Sequence, residues 1–224
     1  MTRKKVISIV VPFFNEQENL SLLFHKICVY LESRKKENYE VLFINDCSTD
    51  SGEVLIRKLI KSKKNFYLFN LNKRSGQSGC FNLAFKKMKG SFFIRIDSDL
   101  QDDPKDIGQI VNELKKNKDL VLGIRKDRKH SVYLLRITQI YDCFVRFFFK
   151  IKSQSFSCSM LGVRKKFIEN LQLKNMDHRF LPLILLSSRG AKISTVNVSH
   201  HERLFGKSKY NILKKLFFGL YEFI

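Results

Sequence analysis

The sequence predicts an α/β fold, a mostly parallel central sheet with helices on both faces and basic amphipathic helices near the C-terminus. Two observations carry the sheet and its helices. Short β-branched or aromatic runs alternate with stretches of helical period through residues 6–124,. The segments between these runs have the length of crossover helices, which parallel strands require. In such sheets ligands bind beyond the carboxyl ends of the strands.

The elements follow in order. Val6-Ile-Ser-Ile-Val-Val11 is a β-branched run of strand length, and residues 16–35 place Leu20, Leu23, Phe24, Ile27 and Leu31 at helical spacing,. Tyr39-Glu-Val-Leu-Phe-Ile44 reads as the second strand. Asp50-Ser-Gly-Glu53 reads as a capping box ahead of a helix over 51–62, the aspartate taking its first free N–H groups,. Residues 66–71 form the third strand and residues 76–88 the next helix. Ser91-Phe-Phe-Ile-Arg-Ile96 is the fourth strand. Pro104 opens a helix over 105–117 at a position where a missing N–H costs nothing,. Residues 120–124 are the fifth strand.

With neither an internal repeat nor a linker, one domain is expected over 1–208, followed by an amphipathic, membrane-proximal helix over 209–224. Residues 130–152 are helical in pattern, aromatic-rich and studded with Arg136, Arg146, Lys150 and Lys152. This is either an interfacial helix whose basic side chains meet anionic headgroups or a core helix with solvated basic ends.

Composition narrows the partners. Of 224 residues, 44% are hydrophobic, which excludes a disordered chain,. Lys and Arg number 42 against 21 Asp and Glu, a net charge of +21 that calls for an anionic partner,. Nucleic acid is set aside, because the basic residues follow no helix-turn-helix, zinc or RNP pattern and the acidic turns would repel a phosphate backbone,. Acidic lipid headgroups and phosphorylated substrates remain. Cys28, Cys47, Cys80, Cys143 and Cys158 show no Cys-x-x-Cys spacing, so neither a zinc ribbon nor a disulfide framework is expected,. Val6–Phe14 is interrupted by Pro12 and followed by Asn15-Glu16, unlike a secretory signal,. No run reaches the ~18 apolar residues of a membrane span. The apolar end, residues 216–224, is expected either to rest on a greasy surface or to precede a membrane segment.

The sharpest chemical signal is Arg95-Ile-Asp97-Ser-Asp99-Leu-Gln101-Asp-Asp-Pro104. Two carboxylates two residues apart, just past a strand, open into the crevice at its end. There they suit a Mg²⁺ or Mn²⁺ ion shared with the phosphates of a nucleotide. Asp102, Asp103 and Asp106 are expected only to favour the next helix N-terminus,. Two further strand ends carry Pro12 with Glu16, and Asp46, which is able to accept from a base edge. Each alone reads equally as a turn or cap residue. Three acidic turns at one sheet edge exceed what capping requires.

Val11-Pro-Phe-Phe-Asn-Glu16, Ile44-Asn-Asp-Cys-Ser-Thr-Asp50, Asn72-Lys-Arg-Ser-Gly-Gln77 and Ile96-Asp-Ser-Asp-Leu-Gln101 resemble the successive motifs of inverting GT-A glycosyltransferases. The run from Asp97 to Pro104, together with His201-Glu-Arg-Leu-Phe-Gly-Lys-Ser-Lys-Tyr210, resembles the polyprenyl-phosphate branch, typified by dolichyl-phosphate mannose synthase, bactoprenol glucosyl transferases and the undecaprenyl-phosphate aminoarabinose transferase.

That resemblance implies a transferase moving a sugar from a UDP- or GDP-sugar to a polyprenyl phosphate at the cytoplasmic face of a membrane, whether peripheral or anchored beyond residue 224. It implies that Pro12, Phe14, Glu16, Asp46 and Asp97 line the nucleotide, and that Asp97, Asp99 and Gln101 hold the metal and diphosphate. Arg125 and Arg136 would meet the acceptor phosphate. Arg203, Gly206, Ser208 and Lys209 would form a lid over the diphosphates, with Asp99, Arg203 and Lys209 carrying catalysis. One departure concerns the sugar: Gln154-Ser-Phe-Ser-Cys-Ser159 lacks the carboxylate that relatives often carry there. A hydroxyl acceptor would instead need a base. Asp177 is then the candidate, its other reading being the N-cap of a helix over 180–188. A second copy of the chain stays a candidate partner.

Overall fold

The computed structural model describes residues 6–125, 160–174 and 176–204. The stretch 130–152 with Arg136, the Gln154–Ser159 stretch, and Gly206, Ser208, Lys209 and the 209–224 segment lie outside these residues.

Seven strands form one sheet in the order β3-β2-β1-β4-β6-β5-β7. Strand β1 is Val6–Phe13, β2 is Asn38–Asn45, β3 is Phe66–Asn70 and β4 is Phe92–Arg95; β5 is Leu120–Arg125, β6 is Leu161–Arg164 and β7 is Ile193–Val198. Helices α1 (Gln17–Ser33), α2 (Gly52–Ile60), α3 (Gly76–Lys87), α4 (Ile107–Lys115) and α5 (Leu181–Arg189) cover it. Helix α5 follows the short 3₁₀ turn Asp177–Arg179. The sheet is mostly parallel, as the spacing of the strands requires; only β6 runs antiparallel, to both β4 and β5.

Period-2 alternation sorts the strand residues onto two buried faces. Ile9, Val11, Val41, Phe43, Phe92 and Ile94 face a core shared with α1, α2 and α4. Val10, Leu42, Ile44, Phe93, Leu120 and Leu122 face a second core shared with α3 and α5. Burying each such side chain stabilises the fold by about 1.5–3 kcal/mol relative to exposure. Gly162 in β6 is where α4 presses closest: a Cβ there would run into Ile110 Cγ2, with Ile94 and Leu114 also in the way. Only hydrogen fits.

The loops differ from the expected capping in two places. Asp50 does hold the start of α2, accepting from Gly52 N at 3.0 Å, but its other oxygen accepts from Gln17 N at the start of α1, 2.9 Å away. One carboxylate thus serves two helix ends. Glu53 does not reach back as a capping box requires; it pairs with Arg57 at 2.6 Å and accepts from Asn70. Pro104 opens a 3₁₀ turn, Pro104–Asp106, which leads into α4, and Asp103 accepts from Lys105 N at 3.0 Å.

Candidate active site

The carboxyl ends of β1, β2, β4 and β5 share one edge of the sheet, fixed by the pairings Pro12 with Ile44 and Val10 with Arg95. Beyond β1, Asn15 has a left-handed φ of 51° and its side-chain oxygen accepts from Thr49 N at 2.7 Å, tying the first loop to the second. Pro12 is buried inside the strand. Phe14 is half-buried and carries the Arg74 guanidinium 3.8 Å above its ring. Glu16 stands at the N-cap position of α1 and accepts from Asn19 Nδ2 at 2.6 Å.

Asp46 is buried, and its carboxylate receives Ser75 N at 2.7 Å and Gly76 N at 3.0 Å. These are the first free N–H groups of α3, where the helix dipole favours a negative charge. Asp46 therefore fixes the loop that carries Arg74, a role its place after a strand did not disclose.

The carboxylates after β4 have separate partners. Asp97 is gripped by Arg95, whose Nε and Nη2 lie 3.0 and 2.9 Å from Oδ1, with Nη2 also 2.7 Å from Oδ2. Gln77 reaches the same Oδ1 at 3.4 Å. Asp99 accepts from Gln101 N at 3.2 Å and pairs through Oδ2 with Arg203 Nη2 at 2.7 Å. Gln101 turns its amide toward the His201 carbonyl, 3.5 Å away.

Residues 199–203 run along this acidic loop like a strap. Ser199 N donates to Asp106 at 2.6 Å, His200 bridges Asp102, and His201 N donates to Gln101 O at 3.0 Å. His201 Nε2 stands 3.5 Å from Asp103, and Arg203 completes the series on Asp99. Asp102 and Asp106, expected only at the helix start, thus also hold this strap. Burial alone would lower the Arg203 pKa, but the hydrogen bond and charge of Asp99 prevail and raise it, with Glu16 and Asp97 adding to the effect. Carboxylates from the ends of β1 and β4 therefore act on one guanidinium brought in from beyond β7. Arg125, the last residue of β5, lies on the same edge, and its buried Nε has no hydrogen-bond partner among the described residues.

Three residues escaped sequence reasoning. Arg95 left a trace, a charge ending the apolar run Phe92-Phe-Ile. Ser78 and His178 left none: His178 N donates to Ser78 Oγ at 3.1 Å, while its Nδ1 lies 3.0 Å from the same oxygen, a contact made across 100 residues. Burial, then the charges of Arg95 and Arg179, lower the His178 pKa to about 3. Asp177, weighed as a base or an N-cap, accepts instead from Lys174 N at 2.6 Å. It does not cap α5, because the 3₁₀ turn Asp177–Arg179 intervenes.

The donor set fits a hard divalent cation. Among the described residues no cluster of three or more His, Cys, Asp or Glu forms a closed cage. Carboxylate oxygens at a strand end suit Mg²⁺ or Mn²⁺ completed by water and phosphate oxygens. Arg203 places a positive charge on the Asp99 oxygen that such an ion would use.

Solved structures share this architecture. Glucosyl-3-phosphoglycerate synthase from Mycobacterium tuberculosis, in complex with Mn²⁺, UDP and phosphoglyceric acid, matches with a TM-score of 0.70 and 16% identity over 95% of this chain and 73% of that one. A mannosyltransferase from Pyrobaculum calidifontis in complex with GDP-Man and Mn²⁺ matches with a TM-score of 0.67 and 15% identity over 92% of this chain and 59% of that one. Among curated relatives, the undecaprenyl-phosphate 4-deoxy-4-formamido-L-arabinose transferase of Photorhabdus laumondii is 28% identical over 94% of this chain and 64% of its own length. The dodecaprenyl-phosphate galacturonate synthase of Rhizobium johnstonii is 30% identical over 92% of this chain and 62% of its own. The chain thus spans less than two thirds of either relative. Residues 8–172 match the model of glycosyl transferase family 2, and the chain belongs to that family.

Proposed function

We propose that this chain moves a sugar from a UDP- or GDP-sugar to a polyprenyl phosphate, with inversion at the anomeric carbon, at the cytoplasmic face of a membrane. The observation that carries the reading is the strap: it sets Arg203 on Asp99 at the edge where Arg125 ends its strand. Carboxylates suited to a cation and guanidinium groups suited to phosphate thus lie at one edge of the sheet. The relatives, named as transferases or synthases of polyprenyl-phosphate sugars, support the acceptor class.

In this reading the nucleotide lies against Phe14, Glu16 and Asp97, beside the loop that Asp46 holds. Asp99, with Asp97 and Gln101 beside it, would hold Mg²⁺ or Mn²⁺, which when bound would supply positive charge for the leaving diphosphate. An oxygen of the lipid phosphate, positioned by Arg125 and Arg136, donates its electron pair to the anomeric carbon. The bond from that carbon to the diphosphate oxygen breaks, and its electrons leave with the nucleoside diphosphate. Arg203, released from Asp99, turns to that diphosphate as Lys209 and the lid residues Gly206 and Ser208 close and exclude water. The acceptor phosphate is already ionised near neutral pH, so no general base is required, in keeping with the hydrogen bond that holds Asp177 on its own loop. Residues 1–208 then form the catalytic domain. Residues 209–224 and the 130–152 stretch meet the anionic membrane surface, and a second copy of the chain is a further candidate partner.

The test mixes purified protein with Mn²⁺ or Mg²⁺, undecaprenyl phosphate and a panel of labelled UDP- and GDP-sugars, and follows label into the organic phase. Metal-dependent transfer from one donor is expected, with Asp99→Ala lowering the rate by about 10²-fold or more. Failure to label the lipid with any donor, despite metal-dependent UDP or GDP binding, would move the acceptor to a hydroxyl.

A further inference from the structure

We infer that Arg95 is a positioning residue that neutralises Asp97 and thereby leaves Asp99 as the protein carboxylate that takes the cation. The inference rests on the donor-site reading above and concerns how that site divides its charge.

Arg95 ends β4, and on the pleat it shares a face with Phe93,. Its guanidinium lies 5.9 Å from the centre of the Phe81 ring, and the residue is 9% exposed. A guanidinium so placed has lost most of its water and requires a counter-charge. Asp97, two residues on, supplies it. The fork takes both Asp97 oxygens through three short contacts, the geometry that makes arginine–carboxylate pairs strong and fixes their orientation,. Gln77 adds a fourth contact, and the Asp97 backbone N–H is itself held by Asp102 at 3.2 Å.

Asp99 is held differently. Its oxygens receive one backbone N–H and one side chain, Arg203, which belongs to a surface strap rather than to the sheet. Exchange of Arg203 for a metal ion therefore leaves the pair on the sheet in place, whereas exchange of Arg95 would strand a buried charge. A cation that gains one protein carboxylate instead of two must take most of its ligands from water and from the donor diphosphate. The site then holds the ion weakly alone and more tightly together with a nucleoside diphosphate. His178 adds no competing positive charge near neutral pH, since burial keeps its imidazole neutral.

The experiment titrates Mn²⁺ alone into the full chain and reads the free ion by electron paramagnetic resonance. Arg95→Met is expected to tighten Mn²⁺ binding on the order of tenfold by releasing Asp97 into the site. Combining it with Asp97→Asn is expected to return the affinity to that of the unaltered protein. Asp99→Asn abolishes binding in every background. The double variant removes both partners of the buried pair, so it keeps the test decisive where Arg95→Met alone fails to fold. An Arg95→Met affinity equal to that of the unaltered protein, or a double variant as deficient as Asp99→Asn, would overturn the assignment. Because the titration requires no turnover, its failure leaves the transfer reading to the lipid-phase assay.

Discussion

Asp97 and Asp99 stand two residues apart, yet the fold gives each a different arginine: one on the sheet, the other on the strap after β7. The alternation of carboxylates was legible in the sequence because it depends only on local spacing past a strand. Their partners were not, since Arg203 arrives from 104 residues away. The same holds for His178, whose contact with Ser78 joins α3 to the turn before α5. Its pKa, lowered to about 3 from an ordinary 6.5, makes a prediction at this scale. Below pH 6.5 the unfolded chain takes up a proton that the folded imidazole refuses. The neutral form's contribution to stability is therefore complete above about pH 6.5 and is lost as pH falls toward 3. Its slope approaches about 1.4 kcal/mol per pH unit. Urea unfolding between pH 7 and 5 should show a fall in stability that His178→Asn shows less steeply; parallel curves would mean that His178 titrates normally.

At the scale of elements, the strands and helices up to β5 were legible because their strand runs and amphipathic spacing are local. Both late strands were missed. In β6, Leu161-Gly-Val-Arg164, four residues suffice only because β4 and β5 flank them on both sides. β7 is rich in β-branched residues, Ile193, Thr195, Val196 and Val198, but they do not alternate with period two, and the pairing with β5 spans a long separation in sequence. The insertion of β6 has a cost that can be measured. Gly162→Ala places a methyl group against Ile110, Ile94 and Leu114, and α4 must shift to admit it. A loss of about 1–3 kcal/mol is expected, read as a lower urea midpoint with unchanged slope. An unchanged midpoint would show that α4 does not press on this strand as closely as described. The capping box failed for a related reason: Asp50 found a second helix end, and Glu53 found Arg57 and Asn70.

For the whole molecule, the charge of +21 and the placement of the acidic turns point the same way. Negative groups gather at one edge of the sheet, where the proposed cation and phosphate-bearing donor would meet, while the chain as a whole attracts anions. Among the described residues no helix is long and apolar enough to cross a membrane. In the proposed function, contact with a lipid carrier would draw on surface electrostatics and on the 130–152 and 209–224 segments. The family follows from the match over residues 8–172, and the acceptor is the part of the account that chemistry must decide. The most direct measurement offers the protein, with its preferred donor and Mn²⁺, undecaprenyl phosphate in one vessel and undecaprenol in another. The account predicts an acid-labile glycosyl phosphate of inverted configuration from the first and nothing from the second, with Asp177→Asn retaining most of the rate. Equal transfer to the alcohol, or loss of transfer in Asp177→Asn, would contradict it.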